Sequence, residues 1–395
     1  MGTSVGVGYS LLKNPADAGR QAVQQALQQG GMEQPDFVFL FATIGYQQQL
    51  LLDAVCAATH NPALSGCTGE GIIVRGFASE SNFGVCVMAI ASDELRFTAL
   101  VETELGLGFE RAGERLAEQV RPLLSDQTFA CLLFADGLVF DFDPFKEGFE
   151  RALQLARPLP LFGGLSADNW TAGKTFQYHN GRVFSQSVSC VLLSGSGKVA
   201  WGVNHGCVPV GTQHTITRSK GNVICGIDGV PALDALEEYV ENPRDQWNKI
   251  TLNLCLGFRT PEYLKQEYGD FLIRYMMDKD DVEGCVTIQS DVAEGTELWI
   301  MRRDKELMYD GLQEIVRQVR ARLGSNRPKL VLHFECMGRG KAVYQEQEKL
   351  HLLQYLQEEI GADIPWIGFY SYGEIGPVSE HNCIHNFTAI VMAVY

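Results

Sequence analysis

The sequence predicts an α/β protein whose mixed sheets are built from a repeated strand-helix-strand-hairpin unit, organised in two domains. Short apolar runs recur at three places, each is followed by a helical pattern, and each of these is followed by a strand that ends in a glycine-rich loop. The same elements in the same order three times indicate internal duplication. At 395 residues the chain is long enough for two domains.

Each unit begins with a continuous apolar run, which is typical of a strand buried on both faces. The three runs are residues 37–41, 130–134 and 330–334. Apolar residues then recur at spacings of three and four, so that they share one face of a helix. They are Leu51, Leu52, Val55 and Cys56 in the first unit, Phe145, Phe149, Ala152 and Leu153 in the second, and Leu352, Leu353, Leu356 and Ile360 in the third.

A second apolar strand follows each helix and leads into small and polar residues, at 64–71, 161–168 and 367–376. The pair Asn180-Gly181 favours a two-residue hairpin turn. Residues 84–90, 188–193 and 388–394 are predicted as the strands that close the units. We place one domain at 28–224 and the other at 225–395, with a short helix at 232–239. The order of elements between 242 and 310 does not follow from the sequence.

The composition excludes several classes of partner. The net charge is −16, and a field of this sign repels nucleic acid and anionic membrane surfaces. Eleven cysteines without a Cys-x-x-Cys pair predict free thiols rather than a disulfide framework or a zinc knuckle. The first residues do not resemble a signal peptide, and no apolar stretch is long enough to span a bilayer. We therefore expect a cytoplasmic protein.

The glycine-rich loops are the predicted ligand-binding positions, because ligands of open α/β sheets lie beyond the carboxyl ends of the strands. The ends of the first strands, at 42–45, 135–137 and 336–340, are equivalent positions. An alternative is that the glycines serve tight turns and the charged residues face water. The candidate ligand-binding residues are Cys67, Thr68, Glu70, Asp168, Arg339, Tyr372 and Glu374.

Two further groups of residues could carry chemistry. Cys67 could act as a nucleophile, although no histidine is near it in sequence, and a small buried thiol is the alternative. In the segment 381–385, His381, Cys383 and His385 project from one face of an extended chain. Three ligands from one strand can hardly close a tetrahedral zinc site, whereas one imidazole is enough for haem iron. Structural histidines at a sheet edge are the other interpretation.

Motifs along nearly the whole chain resemble those of the FIST proteins (F-box and intracellular signal transduction). They lie at residues 65–70, 163–168, 201–202, 214–222, 227–232 and 368–376, in the order of the family's N- and C-terminal domains. The resemblance implies a sensory module that binds a small ligand and passes its signal to a separate protein. It implies no catalytic residues, and a homo-oligomer is compatible with it.

The resemblance implies two kinds of ligand. Stand-alone members of this size include haem-binding nitric-oxide sensors (NosP-like) that regulate partner histidine kinases, and the segment 384–388 is similar to theirs except that Phe387 replaces a glutamine. In that case His385 is the first candidate for the axial haem ligand and His381 the second. The alternative ligand is an amino acid or related metabolite, with Arg339 pairing with its carboxylate. A cysteine- or metal-dependent enzyme is the least favoured reading.

Overall fold

A computed structural model describes residues 2–171 and 173–395. It confirms the α/β class and the mixed sheets. None of the helices in these residues has the length and apolar character needed to cross a membrane.

The repeated unit is longer than the sequence pattern predicts, because a strand and a helix precede the first apolar strand. Unit 1 consists of β1 (Thr3–Ser10), α1 (Pro15–Gly30), β2 (Phe37–Ala42), α2 (Gln48–Ala58), β3 (Ala63–Thr68), β4 (Gly71–Val74), β5 (Phe77–Ser79) and β6 (Val85–Ser92). Unit 2 consists of β7 (Leu95–Glu102), α3 (Phe109–Val120), β8 (Thr128–Ala135), α4 (Phe142–Leu153), β9 (Leu161–Leu165), β10 (Gln177–His179), β11 (Arg182–Phe184) and β12 (Val188–Gly195).

Unit 3 is interrupted after its first strand, β13 (Val199–Asn204), by a separate sheet that we call the inserted sheet. The inserted elements are β14 (Cys207–Lys220), β15 (Val223–Ile227), β16 (Val230–Pro231), α5 (Ala232–Ala235), α6 (Trp247–Asn253), β17 (Leu254–Arg259), α7 (Glu262–Tyr268), β18 (Phe271–Arg274), β19 (Met276–Asp280), β20 (Cys285–Ile288) and β21 (Glu297–Arg303). Unit 3 then resumes with α8 (Lys305–Leu323), β22 (Leu330–Cys336), α9 (Glu346–Gly361), β23 (Trp366–Ser371), β24 (Glu374–Val378), β25 (His381–His385) and β26 (Ala389–Val394).

The three units exchange their hairpins in a cycle. Each unit forms its own four-stranded sheet, in the orders β1-β6-β2-β3, β7-β12-β8-β9 and β13-β26-β22-β23. The free edge of each sheet is completed by a hairpin from another unit. The unit 2 hairpin β10-β11 pairs with β3, the unit 3 hairpin β24-β25 pairs with β9, and the unit 1 hairpin β4-β5 pairs with β23.

The three sheets share one aromatic core. Phe41, Phe134 and Phe334 come from equivalent strands, and Phe369 lies among them. The ring centroid of Phe134 is 5.2 Å from Phe41, 6.3 Å from Phe334 and 6.2 Å from Phe369. On its other face each sheet packs against its own helix pair. Because all four rings are fully buried, the units stabilise one another through shared apolar area.

A glycine has the same role in each unit. A Cβ on Gly66, Gly163 or Gly368 would lie 1.8, 1.9 or 2.0 Å from the carbonyl oxygen of the neighbouring strand. Only a residue without a side chain allows this approach. The glycines at the start of the predicted loops are therefore required for strand packing.

The inserted sheet is held together partly by a disulfide. Its strand order is β18-β17-β21-β14-β15-β20-β19, and β16 pairs with β15. Cys225 of β15 and Cys285 of β20 are bonded across neighbouring strands. The expectation that all cysteines are free thiols is therefore wrong for this pair, which is 60 residues apart in sequence. The other nine cysteines are free.

The domain limits predicted from the sequence do not coincide with edges of secondary structure. The start at 28 leaves out β1 and most of α1, although β1 pairs with β6 along its whole length. The division at 224/225 falls inside β15. In addition, β4 of unit 1 belongs to the sheet of unit 3.

Candidate functional site

A cavity of about 490 Å³ lies between the repeated units and the inserted sheet. Its walls on the side of the repeated units are Gly137, Leu138, Trp170, Cys336, Met337, Gly338, Tyr372, Asn386 and Phe387. Its walls on the side of the inserted sheet are Thr251, Leu252, Tyr275, Met277, Asp278, Thr287 and Gln289. Both parts of the fold are needed to enclose it.

Strand ends position the first wall. Gly137 follows β8, Cys336 is the last residue of β22 and residues 337–338 follow it, so two of the three predicted strand ends reach the cavity. Tyr372 lies in the turn between β23 and β24, and residues 386–387 lie in the turn between β25 and β26. Phe387 has a φ of 57°, in the left-handed region that glycine and asparagine adopt most readily. A phenylalanine in this conformation is strained. Here the strained turn holds an aromatic ring against the cavity.

An amide pair links the two walls. The side-chain nitrogen of Asn386 donates to Oε1 of Gln289, and Oδ1 of Asn386 accepts from the backbone N–H of Tyr275 at 2.9 Å. Nε2 of Gln289 donates to the carbonyl of Tyr372 over 3.4 Å. Asn386 is buried, so these bonds fix its position. The contact between the inserted sheet and the units therefore passes through side chains that line the cavity.

A cationic side chain lies beside Phe387. Arg303, at the end of β21, places its guanidinium carbon 5.4 Å from the centroid of the Phe387 ring. It also donates to the carbonyl of Gly338. Arg303 contacts two lining residues but is not itself among the residues that line the cavity.

Two of the predicted ligand-binding residues meet at the edge of the cavity. Tyr372 lines it, and its hydroxyl donates to Oδ1 of Asp168 at 2.7 Å. Asp168 also accepts from Thr171 and from the backbone N–H groups of Gly173 and Lys174. Burial raises the pKa of Asp168, but the hydrogen bonds, led by that of Tyr372, outweigh it and hold the pKa below its usual value. Asp168 is therefore ionised, and its carboxylate holds the surrounding loop in place.

Glu70 is buried beside a lysine. Its Oε1 lies 3.1 Å from Nζ of Lys341, and its Oε2 has no hydrogen-bond partner among the described residues. Burial raises the pKa of Glu70 to about 7, against the opposing effect of Lys341. Glu70 does not line the cavity.

Glu374 is also buried and lies in the first position of β24. It accepts from the hydroxyls of Ser371 and Thr388, each at 2.7 Å. Burial raises the pKa of Glu374 to about 8, although these bonds oppose the shift. Its carboxyl group joins three segments of unit 3 and does not face the cavity.

Arg339 is occupied by an internal ion pair. Its Nε donates to Glu335 at 2.6 Å, and a terminal nitrogen donates to the carbonyl of His205 at 2.7 Å. Glu335 is shared with His333 at 2.7 Å. The space beside this group is about 30 Å³, which is too small for an amino acid. The structure thus does not present Arg339 to a ligand carboxylate.

Cys67 and Thr68 are buried within strand β3. Burial raises the pKa of the Cys67 thiol well above its ordinary value, so the thiol form predominates. The hydroxyl of Thr68 accepts from the backbone N–H of Phe176, which joins unit 1 to the incoming segment of unit 2. Both side chains are engaged in packing rather than exposed to a ligand.

The two candidate histidines differ in their surroundings, and neither lines the cavity. His385 is fully buried, and its Nε2 donates to the carbonyl of Gly376 at 2.9 Å while its Nδ1 accepts from Tyr268 at 3.1 Å. Burial lowers the pKa of His385 to about 3, so the ring is neutral. Both of its nitrogens are occupied by these hydrogen bonds. His381 is exposed and its ring lies 4.7 Å from that of Tyr263. The cavity lining contains no histidine.

A metal centre is not formed elsewhere in the described part of the chain. In residues 2–171 and 173–395, no three His, Cys, Asp or Glu side chains are grouped so that they could hold a metal ion.

Most lining residues were missed by sequence reasoning. The strand ends at 135–137 and 336–340 and Tyr372 were identified, whereas Trp170, Asn386, Gln289 and Thr287 were not. Asn386 and Phe387 lie inside the segment 384–388, so the signal was present but was assigned to the neighbouring histidine. The residues from the inserted sheet fall in the stretch whose element order the sequence does not reveal.

Comparisons with known proteins give the following matches. A family model described as the FIST N domain matches residues 36–230, and one described as the FIST C domain matches residues 232–377. An uncharacterised protein of Mycobacterium tuberculosis (strain H37Rv) is 28% identical, with 98% of both chains covered. An uncharacterised protein of Methanocaldococcus jannaschii is 24% identical over 79% of this chain and 64% of its own length.

Two solved structures are distantly similar. A chorismatase has 9% identity and a TM-score of 0.35, with 100% of this chain and 99% of that chain covered. A cyanuric acid hydrolase from A. caulinodans has 10% identity and a TM-score of 0.36, with the same coverage. At these values the likeness supports no statement about the chemistry of this chain.

Proposed function

Because the chain belongs to the FIST family, we propose that it is a sensory protein whose small ligand binds in the cavity between the repeated units and the inserted sheet. FIST domains are generally small-ligand sensory domains of signalling systems. The bound state is read by a separate signalling protein, such as a histidine kinase.

The observation that carries this proposal is the cavity itself. Its volume of about 490 Å³ lies within the range of roughly 300–1,000 Å³ that is usual for small-molecule sites. Most of its lining is apolar or aromatic, with a few amide and hydroxyl groups, which is the usual composition of a ligand pocket.

The position of the cavity suggests how binding is reported. The amide pair of Asn386 and Gln289 and the bond from Arg303 to Gly338 both cross from one part of the fold to the other. A ligand that prefers one packing of the inserted sheet shifts the population towards that packing. The exposed face of this sheet then differs between the free and bound states, and a partner can distinguish them.

Catalysis is not part of the proposal. Cys67 is buried in a strand with a raised pKa, and the other strand-end candidates are held by internal bonds. A nitric-oxide sensor with haem on His385 receives no support from the bonds of that ring, and an amino-acid sensor that uses Arg339 receives none from its ion pair with Glu335. The ligand must instead satisfy the groups that line the cavity.

A thermal-shift screen of the purified chain tests the proposal, with amino acids, dicarboxylates, cyclic amides and hemin as the probes. The wild-type protein is compared with Thr287→Trp, which fills the cavity, and with Thr212→Trp, a matched change at an exposed site in the same inserted sheet. At a ligand concentration of about a hundred times Kd, binding adds about 2.7 kcal/mol, which corresponds to a rise of about 3 °C for a chain of this length.

We expect at least one probe class to raise the melting temperature of the wild type and of Thr212→Trp but not of Thr287→Trp. The proposal fails if no probe shifts the wild type, or if every shift persists in Thr287→Trp.

A further inference from the structure

The charges around the cavity disfavour an anionic ligand. Among the described lining residues Asp278 alone is charged, and it is exposed. The guanidinium of Arg303 contacts the Phe387 ring, donates to the carbonyl of Gly338 and is not among the lining groups. A carboxylate or phosphate would lose its hydration in the cavity without gaining a cation in exchange.

The walls favour a flat ligand. Four aromatic side chains line the cavity: Trp170, Tyr275, Tyr372 and Phe387. The rings of Tyr275 and Phe387 have centroids 5.9 Å apart and an interplanar angle of 57°. Aromatic faces offset-stack on planar rings and gain energy beyond the area that they bury.

An organic cation is the competing ligand class, because aromatic rings and Asp278 both attract positive charge. Two contacts weaken that alternative. The Phe387 ring already faces the Arg303 guanidinium, and Oδ1 of Asp278 accepts from the backbone N–H of Lys279 at 2.8 Å. We therefore favour a neutral ligand and make the cation an arm of the test.

The carboxamide of Gln289 provides both a hydrogen-bond acceptor and a donor in the cavity wall. A carboxamide oxygen accepts two hydrogen bonds and its nitrogen donates two. Oε1 of Gln289 uses one acceptor position for Asn386, and Nε2 uses one N–H for the carbonyl of Tyr372. One acceptor position and one N–H therefore remain on a side chain that is half-buried in the cavity wall.

We propose that this cavity recognises a flat, uncharged cyclic amide, whose ring stacks on the aromatic wall and whose adjacent N–H and C=O groups pair with the carboxamide of Gln289. This inference rests on the proposed function and specifies the ligand class. Asn386, which is held by the backbone of Tyr275, is the positioning residue that keeps Gln289 oriented.

Three related probes separate the parts of the proposal. 2-Pyridone is flat and has the paired N–H and C=O edge, 1-methyl-2-pyridone is flat but lacks the N–H, and 2-piperidone has the edge but is not flat. Picolinate and choline serve as the anionic and cationic arms. Binding is measured by isothermal titration calorimetry on the full chain.

We expect 2-pyridone to bind about tenfold more tightly than 1-methyl-2-pyridone, because a good hydrogen bond contributes about 0.5–1.5 kcal/mol and tenfold corresponds to about 1.4 kcal/mol. It should exceed 2-piperidone by a similar factor, because a puckered ring loses aromatic stacking of about 0.5–1.5 kcal/mol. Gln289→Leu should reduce the affinity for 2-pyridone by a similar factor and that for 1-methyl-2-pyridone by less, because the methylated ring has only its C=O to pair with the carboxamide. The exposed Gln127→Leu is the matched control and should alter neither affinity. The melting temperature of each variant without probe verifies that it is folded.

The outcomes divide as follows. Equal affinity for 2-pyridone and its methylated form, or tighter binding of picolinate or choline, overturns the inference. If no cyclic amide binds while another compound in the thermal-shift screen is excluded by Thr287→Trp, the inference is overturned and the sensory function stands. If no compound binds at all, both are overturned. If Gln289→Leu does not fold, Gln289→Glu replaces it. Its carboxylate still accepts from the ring N–H but cannot donate to the ring carbonyl, so an unchanged affinity for 2-pyridone in this variant overturns the role of the carboxamide nitrogen.

Discussion

The predicted polar residues of the repeated units and the polar residues that the inserted sheet adds to the cavity differ in exposure. In the units Asp168, Glu374 and Arg339 are buried, and each is satisfied by partners in the protein. In the inserted sheet Thr287 and Gln289 are only half-buried, and they face an open cavity. The comparison teaches that these buried polar groups in the units hold loops and turns in place, whereas the inserted sheet adds a cavity wall whose polar side chains remain partly exposed.

The insertion also breaks the symmetry of the three units. The strand ends of units 2 and 3 border the cavity, whereas that of unit 1 does not. There a Cβ on Gly45 would lie 2.1 Å from the carbonyl of Asn82, and Gly45 lines a separate depression against α1 and α2. The cavity is thus enclosed at the strand ends of two units because one unit carries an extra sheet.

The largest effect is expected from the centre of the repeated units. Phe134→Ala removes a ring that contacts Phe41, Phe334 and Phe369, and should lower the free energy of unfolding by about 3–5 kcal/mol. Ile224→Ala, in the separate core of the inserted sheet, is the comparison. Amide hydrogen exchange should show faster exchange in all three units for Phe134→Ala, and in the inserted sheet alone for Ile224→Ala. Equal exchange patterns in the two variants would mean that the molecule unfolds as one cooperative unit.

A smaller effect is expected from the disulfide of the inserted sheet. Reduction of Cys225–Cys285, or the double change to serine, removes a cross-link that closes a loop of 60 residues and should cost about 2–4 kcal/mol. Urea unfolding with and without a reductant measures this loss, and the effect should be confined to the inserted sheet in hydrogen exchange. Cys56→Ser is the control, since Cys56 is a free thiol in unit 1. An unchanged exchange rate in β15 and β20 after reduction would contradict the expectation.

The smallest effect, for a change of one pH unit, is a pH dependence from a buried acid of unit 3. The pKa of Glu374 is raised from 4.5 to about 8, so the folded state binds a proton that the unfolded state releases. Its contribution to stability is therefore fully present below pH 4.5 and is lost as the pH rises towards 8, with a limiting slope of about 1.4 kcal/mol per pH unit. Urea unfolding across this range should show a shallower decline in Glu374→Gln than in the wild type. The exposed Glu283→Gln should retain the wild-type slope, and parallel curves for Glu374→Gln would rule out the assigned role.

The sequence predicts local structure of the repeat well, because each strand and helix carries its own apolar pattern. It does not reveal the hairpin exchange. The turn at Asn180-Gly181 specifies a hairpin, but which sheet edge receives it depends on contacts between distant segments. The pairing of Cys225 with Cys285 was missed for the same reason, since neither residue belongs to a short cysteine motif.

The sequence predicts part of the cavity wall but not most of its side chains. The rule that ligands lie beyond strand ends led to Gly137, residues 336–338 and Tyr372, all of which line the cavity. Charged residues were also predicted to bind the ligand, but Glu70, Arg339 and Glu374 bond to partners within the protein. Gln289 carries no distinguishing pattern in sequence, because an isolated glutamine is usually a surface residue.

The hairpin exchange has a consequence for the order in which the molecule is completed. Val74 of β4 pairs with Ile367 of β23. Strand β4 is synthesised early, so it cannot form this pairing until β23, one of the last strands, has been synthesised. Pairings of such sequence separation slow folding and leave strand edges open in the meantime. During synthesis the edge of β4 is therefore available for wrong pairing, and a chaperone that shields it until β23 emerges would raise the yield of native protein.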